Sequence, residues 1–366
     1  MRVLYVITGL GVGGAERQVV DLANGMHKRG FDVAICYLTG SIDVAPNAEI
    51  PCYGLGMTGH PLGVFAAMRK LRRIVRAFQP DVIHSHMVHA NLLSRLLRLT
   101  LSVPRLICTA HNTNEGGRLR MAAYRLTDTL ADLSTNVSRE AVEAFVKMKA
   151  APAHRMVAIH NGIDVEAFTV RPEKIAPLRQ SLGLNAADRV LLAVGRLAPS
   201  KDYPNLLQAF AAVQADAPDL RLLIAGEGEL RPQIEQLIHT LGLGANVTLL
   251  GIRRDVADLY ALADVYVMSS AWEGFGLVVA EAMAAHRVVV ATDCGGVKEV
   301  LGGCGFLIPA QDSSALARGI RSALGLTQAQ AEEMGRKARR HVERHYSLDT
   351  VLDKWQQVYQ GKALAS

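Results

Sequence analysis

Two glutamates, Glu273 and Glu281, flank a glycine-rich turn and are separated by seven residues. The turn, Gly274-Phe275-Gly276-Leu277, follows an apolar strand-like run at 264–270 and precedes a helical pattern. A strand that ends in Gly-x-Gly and leads into a helix directs unpaired backbone N–H groups at a ligand beyond its carboxyl end, where a phosphate or diphosphate can bind. The two carboxylates would then accept hydrogen bonds from sugar hydroxyls on either side of an anion site.

Two cations follow the first strand of the second half, in Gly195-Arg196 and at Lys201. Arginine offers a planar fork of donors and lysine a mobile point charge, a pair that suits a departing diphosphate. The alternative is a pair of ordinary solvated cations. Because no D-x-D triplet occurs, no metal is expected, and Arg196 and Lys201 would take over its electrostatic role.

A glycine loop, Gly9-Leu10-Gly11-Val12-Gly13-Gly14, follows the first predicted strand and fits G-x-G-x-x-G. A dinucleotide site also needs an acid at the end of the second strand, which here reads Cys36-Tyr37-Leu38. NAD binding is therefore disfavoured. We interpret the loop as one whose glycines let the backbone come close to phosphates or to an acceptor. The alternative is that the glycines only allow a tight turn between strand and helix.

Other strand ends carry weaker patterns. A nucleoside base could be held by two loops, Gly226-Glu227-Gly228-Glu229 and Gly251-Ile252-Arg253-Arg254. Ordinary turns between strands and helices would explain the same residues equally well. His111 stands alone after a strand and is the preferred ligand-binding residue of the first half, with a hydrogen-bonded turn histidine as the alternative. His84, His86 and His89 lack nearby acids or cysteines, so they are expected to cap a strand edge rather than to bind metal.

Composition narrows the class of protein. The chain has 366 residues, half of them hydrophobic, and five cysteines without a C-x-x-C pair, which predicts two domains with neither a disulfide framework nor a zinc site. No long apolar stretch or signal peptide is evident, so a soluble cytoplasmic protein is expected. The net charge of +6 is unevenly spread, because Asp81 is the only acid between Glu49 and Glu115, and this interval contains a basic amphipathic pattern at Val64–Phe78. The basic side of that helix either faces solvent or contacts an anionic membrane surface. Nucleic acid is disfavoured as a partner because no aromatic residues interleave with the arginines.

Strand-like runs alternate with helical periodicity throughout, which is typical of parallel β-α-β units. Two doubly wound sheets are therefore expected, joined by a linker near Val165–Asp188. The predicted strands are Arg2–Thr8, Asp32–Leu38, Asp81–Ser85, Arg105–Ala110 and Leu133–Val137, then Arg189–Gly195, Leu220–Ala225, Val247–Leu250, Asp264–Ser269, Arg287–Thr292 and Gly305–Ile308.

Five motifs, in this order along essentially the whole chain, resemble those of the family-4 retaining glycosyltransferases of the GT-B fold. The resemblance implies an α/β protein with two doubly wound Rossmann-like domains facing each other across a deep cleft. It implies an acceptor-side domain at 1–168, a nucleotide-sugar-binding domain at 169–346, and a C-terminal helix at 347–366 that returns to the first domain. The motifs are Gly13-Gly14-Ala15-Glu16, His160-Asn161-Gly162-Ile163-Asp164, Gly195-Arg196 with Lys201, Gly226-Glu227-Gly228, and the segment Glu273–Glu281.

The resemblance also implies a role for each site residue. Arg196, Lys201 and the backbone of Phe275-Gly276-Leu277 would bind the diphosphate, Glu281 the ribose, and Glu273 the hydroxyls of the transferred sugar. Gly13 and Gly14 would contact the donor phosphates, and His111 the sugar ring. Ile252 and Arg253 join the predicted nucleotide-binding set because their loop follows a neighbouring strand, not because of the resemblance. The catalytic set is therefore expected to be Glu273, Arg196, Lys201 and His111, without a metal.

The expected function is a metal-independent, retaining hexosyltransferase that uses a nucleotide-diphosphate sugar, with UDP favoured. Its acceptor would be lipid-linked or part of a surface glycan, as in polysaccharide or lipopolysaccharide biosynthesis. The expected location is the inner face of the cytoplasmic membrane, held there peripherally. A nucleotide-sugar epimerase and a non-catalytic nucleotide-sugar-binding protein are the alternatives.

Overall fold

The chain forms two compact units in a computed structural model that describes residues 1–362. The first domain comprises Met1–Ile163 and the segment from Leu348 onward, and the second domain comprises Asp164–Ser347. The end of the predicted segment 347–366, residues 363–366, lies outside the described residues. Each domain contains one parallel sheet, so the prediction of two Rossmann-like α/β domains, the GT-B class, is confirmed.

The first domain has a seven-stranded parallel sheet of order β3-β2-β1-β4-β5-β6-β7. Its strands are β1 (Arg2–Ile7), β2 (Asp32–Tyr37), β3 (Cys52–Gly54), β4 (Val82–His86), β5 (Arg105–Ala110), β6 (Leu133–Asn136) and β7 (Met156–Ala158). Its helices up to Ile163 are α1 (Gly14–Lys28), α2 (Pro61–Phe78), α3 (Val88–Leu97), α4 (Arg118–Thr127) and α5 (Arg139–Lys147).

The second domain has a six-stranded parallel sheet of order β10-β9-β8-β11-β12-β13. Its strands are β8 (Arg189–Val194), β9 (Leu220–Ala225), β10 (Val247–Gly251), β11 (Val265–Met268), β12 (Val288–Asp293) and β13 (Phe306–Pro309). Its helices are α6 (Pro172–Ser181), α7 (Tyr203–Gln214), α8 (Arg231–Thr240), α9 (Val256–Leu262), α10 (Leu277–Ala284), α11 (Val297–Leu301), α12 (Ser313–Leu324) and α13 (Gln328–Tyr346).

The strands read as continuous apolar runs because helices cover both faces of each sheet. In β1, Val3, Tyr5 and Ile7 pack into a cluster with residues of α1. Leu4 and Val6 point to the opposite face and pack with residues of α2 and α3. Successive side chains of a strand alternate between faces, so a strand covered on both sides is apolar at most positions.

A last helix, α14 (Leu348–Tyr359), packs on α1 of the first domain. Trp355 and Leu352 are buried in the same cluster as β1. Gly25 of α1 makes the close approach possible, since a Cβ at this position would collide with the side chain of Leu352. At the rim, Arg29 donates a hydrogen bond of 2.7 Å to the carboxylate of Asp353.

The structure differs from the expected organisation in three respects. The strands β3 and β7 were not predicted, because three residues are too few to show an alternating pattern. The presumed linker contains α6, which packs on α9, and Arg171 donates a 2.7 Å hydrogen bond to Asp258. The division falls after Ile163 rather than after residue 168, because Phe168 packs edge-on against Tyr260 of the second domain.

Candidate active site

The predicted ligand-binding residues of the second domain follow strand ends at one edge of its sheet. Because all strands are parallel, the loops after β8, β9, β10 and β11 emerge together at this edge. The chain order reverses between β8 and β11, which are neighbours in the sheet. Open α/β sheets bind ligands at such a switch point, outside the carboxyl ends of the strands.

Lys201 and Glu273 form an ion pair at this switch point, between the Nζ atom and Oε1. The two side chains are only 19% and 15% exposed. Ser270 donates a 2.8 Å hydrogen bond to the same Oε1, and Ser269 donates one of 2.8 Å to the backbone carbonyl of Lys201. The pair therefore joins the loops after β8 and β11, and it partly neutralises the cation that the sequence assigned to the diphosphate.

Arg196 differs from Lys201, because it is exposed and makes no ion pair within residues 1–362. The backbone beside it is fixed, since Tyr203 donates a 2.9 Å hydrogen bond to the carbonyl of Gly195. Gly226, after β9, lies against that carbonyl, with which a Cβ would collide. The glycine loops after β8 and β9 thus pack backbone on backbone, and they leave the guanidinium of Arg196 available to an anion.

The turn from Glu273 into α10 relies on glycine. Gly276 has a φ of 91° at the start of the helix, in the left-handed region that favours glycine. Gly295, after β12, leaves no room for a Cβ because the carbonyl of Glu273 lies against it. Phe275 is 3% exposed and packs edge-on against Tyr346, so its side chain anchors the turn while its backbone remains at the predicted anion site.

Glu281 lies on the second turn of α10, and Tyr260 of α9 donates a 3.0 Å hydrogen bond to its Oε2. The same hydroxyl is 3.1 Å from the carbonyl of Val278. Burial raises the pKa of Tyr260 well above its usual range, so the hydroxyl stays a donor. Tyr260 was not predicted, since it precedes Glu281 by 21 residues and belongs to a different helix.

The loop after β10 contains Ile252 and Arg253, whose contact with the nucleotide stays a prediction. Ile252 is 64% exposed. Arg253 forms a two-pronged pair with Asp255, at 2.8 and 2.5 Å, and these hydrogen bonds lower the pKa of the aspartate. Arg253 therefore serves first to order its own loop.

In the first domain, Gly13 and Gly14 start α1. Gly13 has extended backbone, with a φ of −173°. Its missing Cβ leaves space that the carboxylate of Glu16 approaches, so a side chain at this position would collide with Glu16. The acid occupies the first turn, where a helix favours negative charge.

His111 follows β5 and is 9% exposed. Its Nε2 lies 3.0 Å from Nδ1 of His86, and its backbone N–H donates a 2.8 Å hydrogen bond to Glu115. Burial lowers the pKa of His111 to about 4, so the ring is neutral near pH 7. The structure thus places the predicted His111 at a strand end but ties its ring to a second histidine.

The expectation that His84, His86 and His89 cap a strand edge is wrong. His89 is exposed and lies in the helix α3 rather than in a strand. The rings of His84 and His86 are buried in the sheet core at 0% and 1% exposure, and burial lowers the pKa of each well below 6.5. His84 lies 2.7 Å from the hydroxyls of both Tyr359 and Thr109. Hydrogen bonds to partners distant in sequence allow imidazoles in positions where the strand pattern calls for apolar residues.

The predicted basic helix corresponds to α2. Ala67, Leu71 and Val75 form its buried face, one residue per turn. Leu62 and Phe65 are 83% and 62% exposed near its start. The remaining surface of α2 carries cations and no acid: Arg69, Lys70, Arg72, Arg73 and Arg76.

Residues 1–362 contain neither a metal-binding cluster nor a membrane-spanning helix. No set of three acidic, histidine or cysteine side chains there is arranged to hold a metal ion. None of the helices in that part of the chain combines the length and apolar character needed to cross a membrane.

Comparisons with known proteins match both domains. Residues 12–167 match the family described as Glycosyltransferase Family 4, and residues 174–341 match Glycosyl transferases group 1. D-inositol 3-phosphate glycosyltransferase of Geodermatophilus obscurus is 30% identical over 400 residues, with 96% of this chain and 85% of the relative covered. The crystal structure of Anabaena Alr3699/HepE in complex with UDP-glucose is 25% identical with a TM-score of 0.86, covering 99% of this chain and 100% of that one. The complex of Alr3699/HepE with UDP matches with a TM-score of 0.84.

Proposed function

Because the chain belongs to the group 1, family-4 glycosyltransferases, we propose that it is a metal-independent, retaining hexosyltransferase acting on a UDP-linked sugar. The acceptor is a lipid-linked or surface glycan. The observation that carries the proposal is the Lys201–Glu273 pair at the switch point between β8 and β11, beside the glycine turn into α10. A cation for the diphosphate and a carboxylate for the sugar are adjacent there.

The cation and the helix start act on the leaving group. Breaking the bond between the sugar and the diphosphate places negative charge on the phosphate oxygens. Arg196, Lys201 and the N–H groups at the start of α10 stabilise this charge more in the transition state than in the ground state, which is what lowers the barrier. Lys201 is shared with Glu273, so it moves toward the phosphate as charge develops.

The carboxylates orient the neutral parts of the donor. Glu273 accepts hydrogen bonds from sugar hydroxyls, and Ser270 and Lys201 hold it in place. Glu281 accepts from the ribose, and the hydroxyl of Tyr260 fixes its rotamer. For His111 and for the backbone of Gly13 and Gly14, the contacts with the sugar ring and with the phosphates stay predictions from the sequence.

Retention follows from attack on the same face. The acceptor hydroxyl forms a bond to the anomeric carbon as the carbon–phosphate oxygen bond breaks, and its proton passes to a phosphate oxygen of the departing UDP. This step needs no enzyme nucleophile. Mass spectrometry of enzyme stopped during turnover should detect no glycosylated protein, and a covalent sugar adduct would contradict the mechanism.

The choice of UDP rests on the nucleotide bound to Alr3699/HepE. A panel of UDP, GDP and ADP and their hexose derivatives should raise the thermal midpoint only for uridine ligands, because a ligand stabilises the fold that binds it. Donor hydrolysis with and without acceptors then separates a transferase from an epimerase or a sensor, and an EDTA control tests metal independence.

The acceptor side of the proposal includes an anionic membrane surface bound by α2. Exposed Leu62 and Phe65 adjoin a cationic face without acids, the composition of an interfacial helix. Reversing Arg69, Arg72 and Arg73 to Glu should abolish binding to phosphatidylglycerol vesicles but not the weak binding to phosphatidylcholine. Reversing three exposed arginines of the second domain, Arg318, Arg340 and Arg344, makes the same change in net charge and should leave vesicle binding intact. Equal losses in both triple variants would contradict this part of the proposal.

A further inference from the structure

A connected set of buried polar side chains runs through the first domain from α14 to His111. Tyr359 of α14 contacts His84 at 2.7 Å, and the ring of His84 packs against that of His86 with centroids 4.0 Å apart and planes tilted by 40°. His86 then meets His111, with 3.0 Å between Nδ1 of His86 and Nε2 of His111. The site residue is thus coupled to a helix near the other end of the chain.

Only one arrangement of hydrogens suits the contact between His86 and His111. Two neutral imidazoles share one hydrogen between facing nitrogens, so one ring donates and the other accepts. Nε2 of His86 is fully buried and has no hydrogen-bonding partner among the described residues. A buried N–H without an acceptor is rarer than a buried acceptor without a donor. The proton of His86 therefore lies on Nδ1, and Nε2 of His111 accepts it.

The ring of His86 is held where it can do this. It packs against the ring of His84 and lies 6.0 Å, centroid to centroid, from the ring of Tyr5. His84 is in turn fixed on both nitrogens, by Tyr359 and by Thr109. A ring packed on its neighbours and fixed in this way cannot exchange its two nitrogens without disturbing the sheet core.

The tautomer of His111 follows. Its Nε2 accepts from His86, so its own proton is on Nδ1. That nitrogen has no partner within residues 1–362 and is not fully enclosed. A neutral ring with Nδ1–H can donate to an oxygen of a ligand, but it offers no free lone pair with which to remove a proton.

We propose that His86 is a positioning residue that holds His111 in the neutral Nδ1–H form, so that His111 serves the active site as a hydrogen-bond donor and not as a general base. The contact with a sugar oxygen rests on the proposed function. The tautomer does not, because it follows from the contacts of the first domain alone.

The test combines a spectroscopic and a kinetic measurement. Nitrogen-15 spectra of imidazole-labelled protein, without substrate, should show His111 protonated at Nδ1 and bare at Nε2. His86→Asn keeps an N–H near the position of Nδ1 and should preserve this form. His86→Phe removes the donor, so the Nε2–H form should appear, and kcat/KM should fall about tenfold through the loss of one oriented hydrogen bond.

The controls separate positioning from stability. Leu97→Ala removes buried apolar contacts of the same domain without touching the histidines, and it should leave the spectrum of His111 unchanged. A wild-type spectrum that shows His111 protonated at Nε2 would overturn the inference, and so would a His86→Phe spectrum identical to that of the wild type. Because the wild-type spectrum is decisive by itself, the test holds even if His86→Phe is too unstable for kinetics. Normal spectra with no transferase activity would count against the proposed function only.

Discussion

Breaking the Lys201–Glu273 pair should separate its contribution to stability from its contribution to catalysis. An exposed ion pair contributes less than about 1 kcal/mol, whereas removing one partner of a fully buried pair costs about 3–5 kcal/mol. With side chains 19% and 15% exposed and Ser270 still bonded to Glu273, Lys201→Met and Glu273→Gln should each cost about 2 kcal/mol. For a domain of this size, that lowers the thermal midpoint by about 4–8 °C.

The double variant carries the decisive measurement. With both charges gone, no uncompensated charge remains buried, so Lys201→Met with Glu273→Gln should cost about 1–2 kcal/mol less than the sum of the single changes. Turnover should not recover, because both groups act on the donor, and kcat/KM should stay about 100-fold or more below wild type in all three variants. Thermal unfolding and initial-rate kinetics on the same preparations test both statements.

Two control variants are measured beside the Lys201 and Glu273 variants. Arg196→Ala removes an exposed cation, so it should lower kcat/KM while leaving the thermal midpoint nearly unchanged. Asp216→Asn breaks the exposed pair with Arg321, whose side chains are 76% and 46% exposed, and should cost less than about 0.5 kcal/mol. Stability losses that add within about 0.5 kcal/mol in the double variant would refute the reasoning, as would near-normal turnover after Arg196 and Lys201 are both replaced by alanine.

Three further predictions concern the surroundings of the site. Gly226→Ala should destabilise the second domain by more than about 2 kcal/mol in urea unfolding, since its Cβ would meet the carbonyl of Gly195. Gly244→Ala is the control and should leave stability unchanged, because the space around Gly244 is open. Tyr260→Phe should weaken UDP binding several-fold in calorimetry by releasing Glu281, and unchanged affinity would contradict the role given to the hydroxyl. Because burial lowers the pKa of His111 from 6.5 to about 4, the unfolded chain binds this proton first as the pH falls, so stability is complete above pH 6.5 and declines below it. His111 alone should account for about 2 kcal/mol between pH 7.5 and 5, and urea unfolding of His111→Asn should show a pH dependence smaller by that amount.

The fold was accessible from sequence because parallel strands covered on both faces are apolar at most positions. The runs that became β1, β8 and β12 are of this kind. Strands of three residues, such as β3 and β7, join a sheet because a neighbouring edge is available. Their own residues carry too little pattern to predict them.

The candidate site was accessible only in part. Glu273, Glu281, Arg196 and Lys201 were found because glycine turns and strand ends are local features of the chain. Their partners were not, since Lys201 meets Glu273 across 72 residues and Glu281 meets Tyr260 across 21. The order of strands in the sheet brings β8 next to β11 and so creates the first of these contacts.

The histidines show most clearly which features the sequence could predict and which it could not. Sequence placed His111 at a strand end, because the run before it is a recognisable buried strand. The burial of His84 depends on a hydroxyl from Tyr359, 275 residues away, and without that partner an imidazole in the core would leave a polar group unsatisfied. The sequence by itself determined which segments are strands and helices and which strand ends carry polar groups, because periodicity depends on neighbours along the chain. The tertiary structure alone decided which of those groups are paired, buried or oriented, because hydrogen-bond partners and desolvation depend on neighbours in space.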